Sequence, residues 1–263
     1  MTSPILVTGG TGTLGRPLVA RLLDAGAEVS VLTRGRKPVD PDARAAGVRH
    51  LTLDLATAEP PALTDALAGT GTVVHVAGGP KGDDRITAAL ARAAASAGVG
   101  HFVLVSVTAA DLLPFGYFRA KLGAERAVAA AGMPWSVVRP AQFHDFVLMV
   151  ARAACRLPVG FAPAVMRLQP VDARDAAARL AEVALGAPAG LLPEVVGPRV
   201  YEARDLFRDY LRWSGRRSPL VPVPMPGRAG RLYKENRNIF TGPDVWTGTR
   251  TWEDYLAERR PER

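Results

Sequence analysis

Thr8-Gly9-Gly10-Thr11-Gly12-Thr13-Leu14-Gly15 is the stretch on which the fold turns. It lies between an apolar run of strand length, Pro4 to Thr8, and a run of helical period, Thr13 to Ala25, that Gly26 closes. In a strand-turn-helix setting its glycines have separate tasks. Gly9 permits the tight turn, Gly12 lets the backbone approach a pyrophosphate with no side chain in between, and Gly15 lets the helix pack close to the sheet. The helix N-terminus adds N–H donors for an anion, with Thr11, Thr13 and Leu14 completing the cradle. The stretch predicts a dinucleotide site in the first βαβ unit.

Outward from this unit the same alternation repeats. Glu28 to Thr33, Val48 to Leu53, Thr72 to Ala77, His101 to Val107 and Trp135 to Arg139 read as further strands. Ala-rich or Leu-rich segments at Asp83 to Ala97 and Phe115 to Ala131 read as helices between them. Strands such as HFVLVSV need no polar face when helices cover both sides of a parallel sheet. The fold class expected is α/β, a doubly wound parallel sheet of Rossmann type with a small C-terminal substrate lobe. Residues 1–145 form the nucleotide-binding core, and residues 146–263 a mainly helical lobe partly integrated with it. In that lobe helices are expected at Phe146 to Cys155, Asp172 to Leu185 and Ala203 to Trp213, with Ser218 to Arg231 as a Pro-rich breaker.

Composition narrows the class. A chain of 263 residues, 48% hydrophobic and 22% charged, buries a sizeable core and is not intrinsically disordered. Its 33 Lys and Arg against 25 Asp and Glu leave a net charge of +8, which favours anionic ligands. Cys155, the one cysteine, has no partner for a disulfide and no second thiol for a zinc site, so no metal is expected. The start MTSPILVTGG lacks the pattern of a signal peptide, and no apolar stretch reaches bilayer-spanning length. A soluble cytoplasmic protein is the expectation, with a small-molecule partner and neither nucleic acid nor membrane.

The end of the second strand bears on the cofactor. An acidic residue there would bond the ribose 2′-hydroxyl of NAD, but the sequence has Thr33-Arg34-Gly35-Arg36-Lys37. Arg34 would stack on adenine, while Arg36 or Lys37 grips a 2′-phosphate; NADP(H) is therefore favoured. Asp54, after the third strand, either accepts a hydrogen bond from the adenine amino group or acts as an N-cap for the next segment. Ala77, Gly78 and Gly79 are small enough to line the crevice beside the cofactor ribose.

TGGTGTLG, HFVLVSV, Tyr117-Phe118-Arg119-Ala120-Lys121 and WSVVRPAQF together make the chain resemble the short-chain dehydrogenase/reductase superfamily. Within it the chain is similar to the atypical branch of NmrA-like and isoflavone-reductase-like proteins. The resemblance covers most of the first 145 residues, and later segments, QPVDARDAA and TWEDYL among them, match in layout only. Tyr117 and Lys121 stand at i and i+4 on one helix face, where an ammonium would lower the phenol pKa and the phenol would exchange a proton with a carbonyl. The resemblance gives Lys121 a second role on the nicotinamide ribose. It also expects Ser106, with Thr108 as the alternative, to hold the substrate oxygen, and the Pro140 backbone to meet the nicotinamide.

Phe143 and Phe146 would line an apolar substrate pocket, with His144 at its edge. These readings imply an NADPH-dependent reductase of a carbonyl on a small, largely apolar molecule. The alternatives are an NmrA-like NADP-binding redox sensor without turnover and an epimerase or isomerase that recycles bound cofactor. A homodimer is compatible with the resemblance.

Overall fold

The computed structural model describes residues 3–35, 47–79 and 82–260. Its contacts divide the chain into two units. The first comprises Met1–Ser106, Phe115–Arg139 and Ala176–Leu192; the second comprises Val107–Pro114, Pro140–Asp175 and Pro193–Arg263. Residues 176–192, expected in the C-terminal lobe, thus cluster with the nucleotide-binding core.

The first unit is a seven-stranded parallel sheet in the order β3-β2-β1-β4-β5-β6-β9. Its strands are β1 (Ile5–Thr8), β2 (Val29–Thr33), β3 (Arg49–Thr52), β4 (Thr72–His75), β5 (His101–Val105), β6 (Trp135–Val138) and β9 (Gly190–Leu191). The chain builds outward from β1 to β3, then returns to place β4 on the other side of β1. Such a reversal of strand order opens a crevice at the carboxyl ends of β1 and β4. The described helices of this unit include α1 (Gly15–Asp24), α2 (Pro60–Ala66), α3 (Asp83–Ser96) and α4 (Gly116–Ala129). Sequence periodicity found all of these except α2, whose seven residues are opened by two prolines, and the two-residue β9. Both are too short to show a period.

Central strands β4 and β5 are buried at every position, and their apolar residues are flanked by the buried polar side chains of Thr72, His75 and His101. Leu6, Phe102, Leu104 and Val137 from the sheet pack with Leu90, Ala94, Ala124 and Val128 from α3 and α4. Burying each large apolar side chain contributes roughly 1.5–3 kcal/mol. The orientation of α4 has a more specific cause. Tyr117, Lys121 and Glu125 follow at four-residue intervals along one face, and Glu125 receives two hydrogen bonds from the buried Arg139 guanidinium, at 2.8 and 2.7 Å. Removing either partner would strand a buried charge, at a cost of about 3–5 kcal/mol.

In the second unit, α5 (His144–Ala154) and α7 (Ala203–Trp213) bury stripes of helical period, and α9 (Trp252–Ala257) joins them around Trp252. α6 (Ala173–Leu185) starts in this unit, where Asp172 Oδ1 accepts a hydrogen bond of 2.8 Å from the Arg174 N–H, and from Ala176 onward counts with the first. The expected breaker at Ser218 to Arg231 instead contains a strand, β12 (Leu220–Val223), and the start of α8 (Gly227–Lys234). β12 pairs in parallel with β7 (Gly160–Pro163). Further two-residue strands, β8 (Arg167–Leu168) with β11 (Tyr201–Glu202) and β10 (Val195–Val196) with β13 (Trp246–Thr247), make this unit less purely helical than expected. Among the described residues no helix is long and apolar enough to cross a membrane.

Candidate functional site

The glycine turn leaves β1 at the strand-order reversal. Gly9 has φ of +72°, and the Gly12 N–H closes the turn on the Gly9 carbonyl at 2.9 Å. Gly15 begins α1, and a Cβ added there would stand 2.2 Å from the Gly9 oxygen, so any side chain would force the turn open. Leu14 is buried and anchors the turn, Thr13 is exposed, and the Arg16 Nε donates to the Thr11 carbonyl at 3.2 Å. A compact turn of backbone at a helix N-terminus, closed to side chains, fits a diphosphate.

Behind the turn lies a polar chain that sequence reasoning missed. The Ala77 N–H donates to Thr8 Oγ1 at 3.2 Å, Thr8 Oγ1 lies 2.7 Å from His75 Nδ1, and His75 Nε2 lies 3.2 Å from Thr87 Oγ1. Each hydroxyl can donate or accept, so Thr8 and Thr87 together satisfy both nitrogens of the neutral ring in either tautomer. Burial, only partly offset by Asp83 and reinforced by Lys121, lowers the His75 pKa to about 4. The ring is a neutral brace linking β1, β4 and α3. Its sequence signal was slight, a histidine at the end of an apolar strand.

The adenine end is less complete. Arg34 is exposed just beyond β2. Arg36 and Lys37 lie outside the described residues. Asp54 Oδ1 accepts from the Ala56 N–H at 3.1 Å, so the carboxylate closes a turn rather than capping a helix; α2 starts later, at Pro60. Ala77, Gly78 and Gly79 come after β4, with the Gly79 N–H 3.4 Å from Asp83 Oδ1.

Lys121 is 6% exposed. Its Nζ lies 2.9 Å from Asp83 Oδ2 and donates to the Val105 carbonyl at 3.0 Å, and a Cβ on Gly78 would come within 3.1 Å of it. Asp83, at the first residue of α3, was not expected in the site. In sequence it looks like an ordinary acid complementing a helix N-terminus. Tyr117, one turn before Lys121, is 38% exposed and packs edge-on against Phe118 with ring centroids 5.4 Å apart. Here the structure corrects an expectation. Partial burial and the Asp83 carboxylate push the Tyr117 phenol above its ordinary value, whereas the lysine was expected to lower it. The ammonium is already engaged by Asp83.

Ser106 comes just after β5, and its N–H bonds the Val138 carbonyl at 2.8 Å. Its Oγ is buried and has no hydrogen-bond partner among the described residues. A hydroxyl left in that state costs about 1–3 kcal/mol unless something outside the chain satisfies it. In the first unit Lys121 thus reaches the carbonyl of Val105, the residue before Ser106, and Tyr117 lies one turn earlier on α4.

The remaining candidates belong to the second unit. Thr108 is buried, and its N–H occupies the Pro140 carbonyl at 3.1 Å. Ala109, next to it, takes a left-handed φ of +58°, a strained conformation for a side chain with Cβ. Phe143 precedes α5 and is half-buried, while Phe146 is exposed. His144 is fully buried, its ring centroid 5.9 Å from Trp252 and 5.2 Å from Tyr255, with Nδ1 3.9 Å from Asp172. Enclosed in that aromatic core it has no surface to offer a substrate, which corrects its expected place at a pocket edge.

Comparison with known proteins supplies the family and the cofactor. The family model described as NAD(P)H-binding matches residues 9–147. A (4-alkanoyl-5-oxo-2,5-dihydrofuran-3-yl)methyl phosphate reductase of Streptomyces griseus is 36% identical, over 81% of this chain and 74% of that protein. A ceramide reductase of Caulobacter vibrioides is 32% identical, over 92% and 81%. In fold, an NADPH-dependent quinone oxidoreductase of Escherichia coli, solved with NADPH, superposes with a TM-score of 0.78 at 21% identity, covering 97% of this chain and 99% of that one. The chain belongs to the NAD(P)H-binding family and is an oxidoreductase whose cofactor is NAD(P)H.

Proposed function

We propose that the protein is an NADPH-dependent reductase of a carbonyl on a small, largely apolar molecule, with Tyr117 as proton donor. The observation that carries this reading is the buried, unpartnered Ser106 Oγ beside the helix of Tyr117 and Lys121. An unsatisfied hydroxyl is suited to donate to an incoming substrate oxygen, which reaches it only when the side chains covering Ser106 move aside. When bound, the dihydronicotinamide supplies a hydride to the carbonyl carbon. Tyr117 delivers a proton to the carbonyl oxygen, completing the alcohol. Its upward-shifted pKa keeps the phenol protonated at neutral pH, which is the form a reduction consumes. Lys121 holds the nicotinamide ribose.

NADPH is preferred to NADH because Arg34 stands where an acidic residue would select the 2′-hydroxyl; Arg36 or Lys37 adds charge for the 2′-phosphate. Gly9, Thr11, Gly12, Thr13, Leu14 and Gly15 seat the diphosphate. Asp54 offers its second carboxylate oxygen to adenine, and Ala77, Gly78, Gly79 and the Pro140 backbone flank the ribose and nicotinamide. Phe143 and Phe146 supply apolar surface for substrate, in keeping with the reductase activities of the similar proteins from Streptomyces griseus and Caulobacter vibrioides.

The Asp83–Lys121 pair favours one rival, in which the chain binds the dinucleotide as a sensor and performs no turnover. Absorbance of NADPH tracked over a panel of ketones and quinones, beside product analysis, separates the readings. A reductase consumes NADPH and yields alcohol or quinol in equal amounts. Binding without oxidation supports the sensor, and product formation without net NADPH loss supports an isomerase; either result overturns the proposal.

A further inference from the structure

The ribbon of β7 and β12 is apolar on both faces. Its register pairs Phe161 with Val221 and Pro163 with Val223, so these four side chains share one face, while Ala162 on the other enters the core. A ribbon covered on one side only would carry polar residues outward. Here Phe161, Val221 and Val223 are 47, 43 and 42% exposed. Leu157 and Val159, just before β7, continue the exposed apolar surface. Contiguous apolar surface of this kind marks an interaction site.

Charge identifies its partner. Residues 146–171 contain three Arg and no carboxylate, and residues 214–234 contain four Arg, one Lys and no carboxylate. As formal charges these eight equal the net +8 of the whole chain. One of the eight, Arg167, pairs with Glu202 at 2.6 Å. Others flank the ribbon. Arg156 and Arg216 each precede their strand by four residues and meet at the same end, where Arg216 Nη2 donates to the Arg156 carbonyl at 3.0 Å. Arg217 is exposed beside them, and Arg228, Arg231 and Lys234 are exposed along α8, the helix after β12.

We propose that this face docks on the surface of an anionic phospholipid bilayer. Apolar side chains would enter the headgroup boundary while the flanking cations meet lipid phosphates, an arrangement that needs no spanning helix. A second copy of the chain fits less well, since a two-fold contact would bring like charges together with no carboxylates in these segments to answer them. A nucleic acid would use the cations and leave the apolar face without a role.

Co-sedimentation of the full chain with vesicles of phosphatidylcholine, with and without phosphatidylglycerol, tests this. The expected result is binding at least about tenfold greater to vesicles containing phosphatidylglycerol, lost at high salt. Phe161→Ser with Val221→Ser should reduce that binding by about tenfold, as should Arg216→Glu with Arg217→Glu, while NADPH titrates all three proteins alike and shows the variants folded. Equal binding to both vesicle types, or full binding by the Ser variant, overturns the proposal. So does a concentration-dependent dimer in sedimentation that the Ser variant abolishes, because the face would then join two copies. None of these outcomes depends on carbonyl reduction or on the role of Tyr117.

Discussion

Behind the glycine turn, Thr8, His75 and Thr87 bond one another and hold β1, β4 and α3 in place; past the end of β5, the Ser106 hydroxyl bonds nothing among the described residues and Lys121 is held by Asp83. Both places border one sheet, on the neighbouring strands β4 and β5. The first has its polar groups satisfied before any ligand arrives. The second carries an unsatisfied donor, a half-exposed phenol and an ion pair that a ligand can rearrange. Under the proposed function the contrast separates a preformed binding element from a reacting one, and substitutions can test each side of it.

The largest effect is expected at the preformed end. Gly15→Val places carbon against the Gly9 carbonyl and should weaken NADPH binding about 1,000-fold, ~4 kcal/mol, as read by calorimetry. The His75 brace gives a pH signature. Below pH 6.5 the unfolded chain protonates this ring, while the folded chain resists until about pH 4. Stability is therefore complete above pH 6.5 and falls through this interval by up to about 3 kcal/mol, then levels off. Urea titrations across that range should show the loss in the natural protein and a flatter profile in His75→Asn.

At the reacting end activity and stability should move in opposite directions. Ser106→Ala removes a buried, unpartnered hydroxyl and should raise Tm slightly, by about 1 kcal/mol of stability, while lowering kcat/KM about tenfold. A fall in both would mean that the hydroxyl is structural. The smallest effect on the pH–rate profile is expected from Asp83→Asn, even though stranding the buried Lys121 ammonium should also cost about 3–5 kcal/mol of stability in urea titrations. The carboxylate raises the Tyr117 pKa, so its loss should move the alkaline limb of the pH–rate profile to lower pH, by less than about one unit.

The difference between the two ends also explains what the sequence made legible. TGGTGTLG is local: its turn, strand and helix are contiguous, so residues 8–15 were enough to locate the turn. The parallel sheet was equally readable from apolar runs such as HFVLV. Asp83 and His75 depend on contacts across 38 and 67 positions, with Lys121 and Thr8, which no local pattern encodes. His144 misled because a histidine beside phenylalanines has the composition of a pocket and of an aromatic core alike, and only Trp252 and Tyr255 decide between them. The β12 strand was hidden by prolines at 219, 222 and 224, which a two-stranded edge tolerates.

Proton donation by Tyr117 is tested most directly by turnover of Tyr117→Phe at saturating NADPH and carbonyl substrate, with NADPH affinity measured on the same preparation. The account predicts that kcat falls about 100-fold or more while the Kd for NADPH stays within about twofold. An unchanged kcat would contradict it.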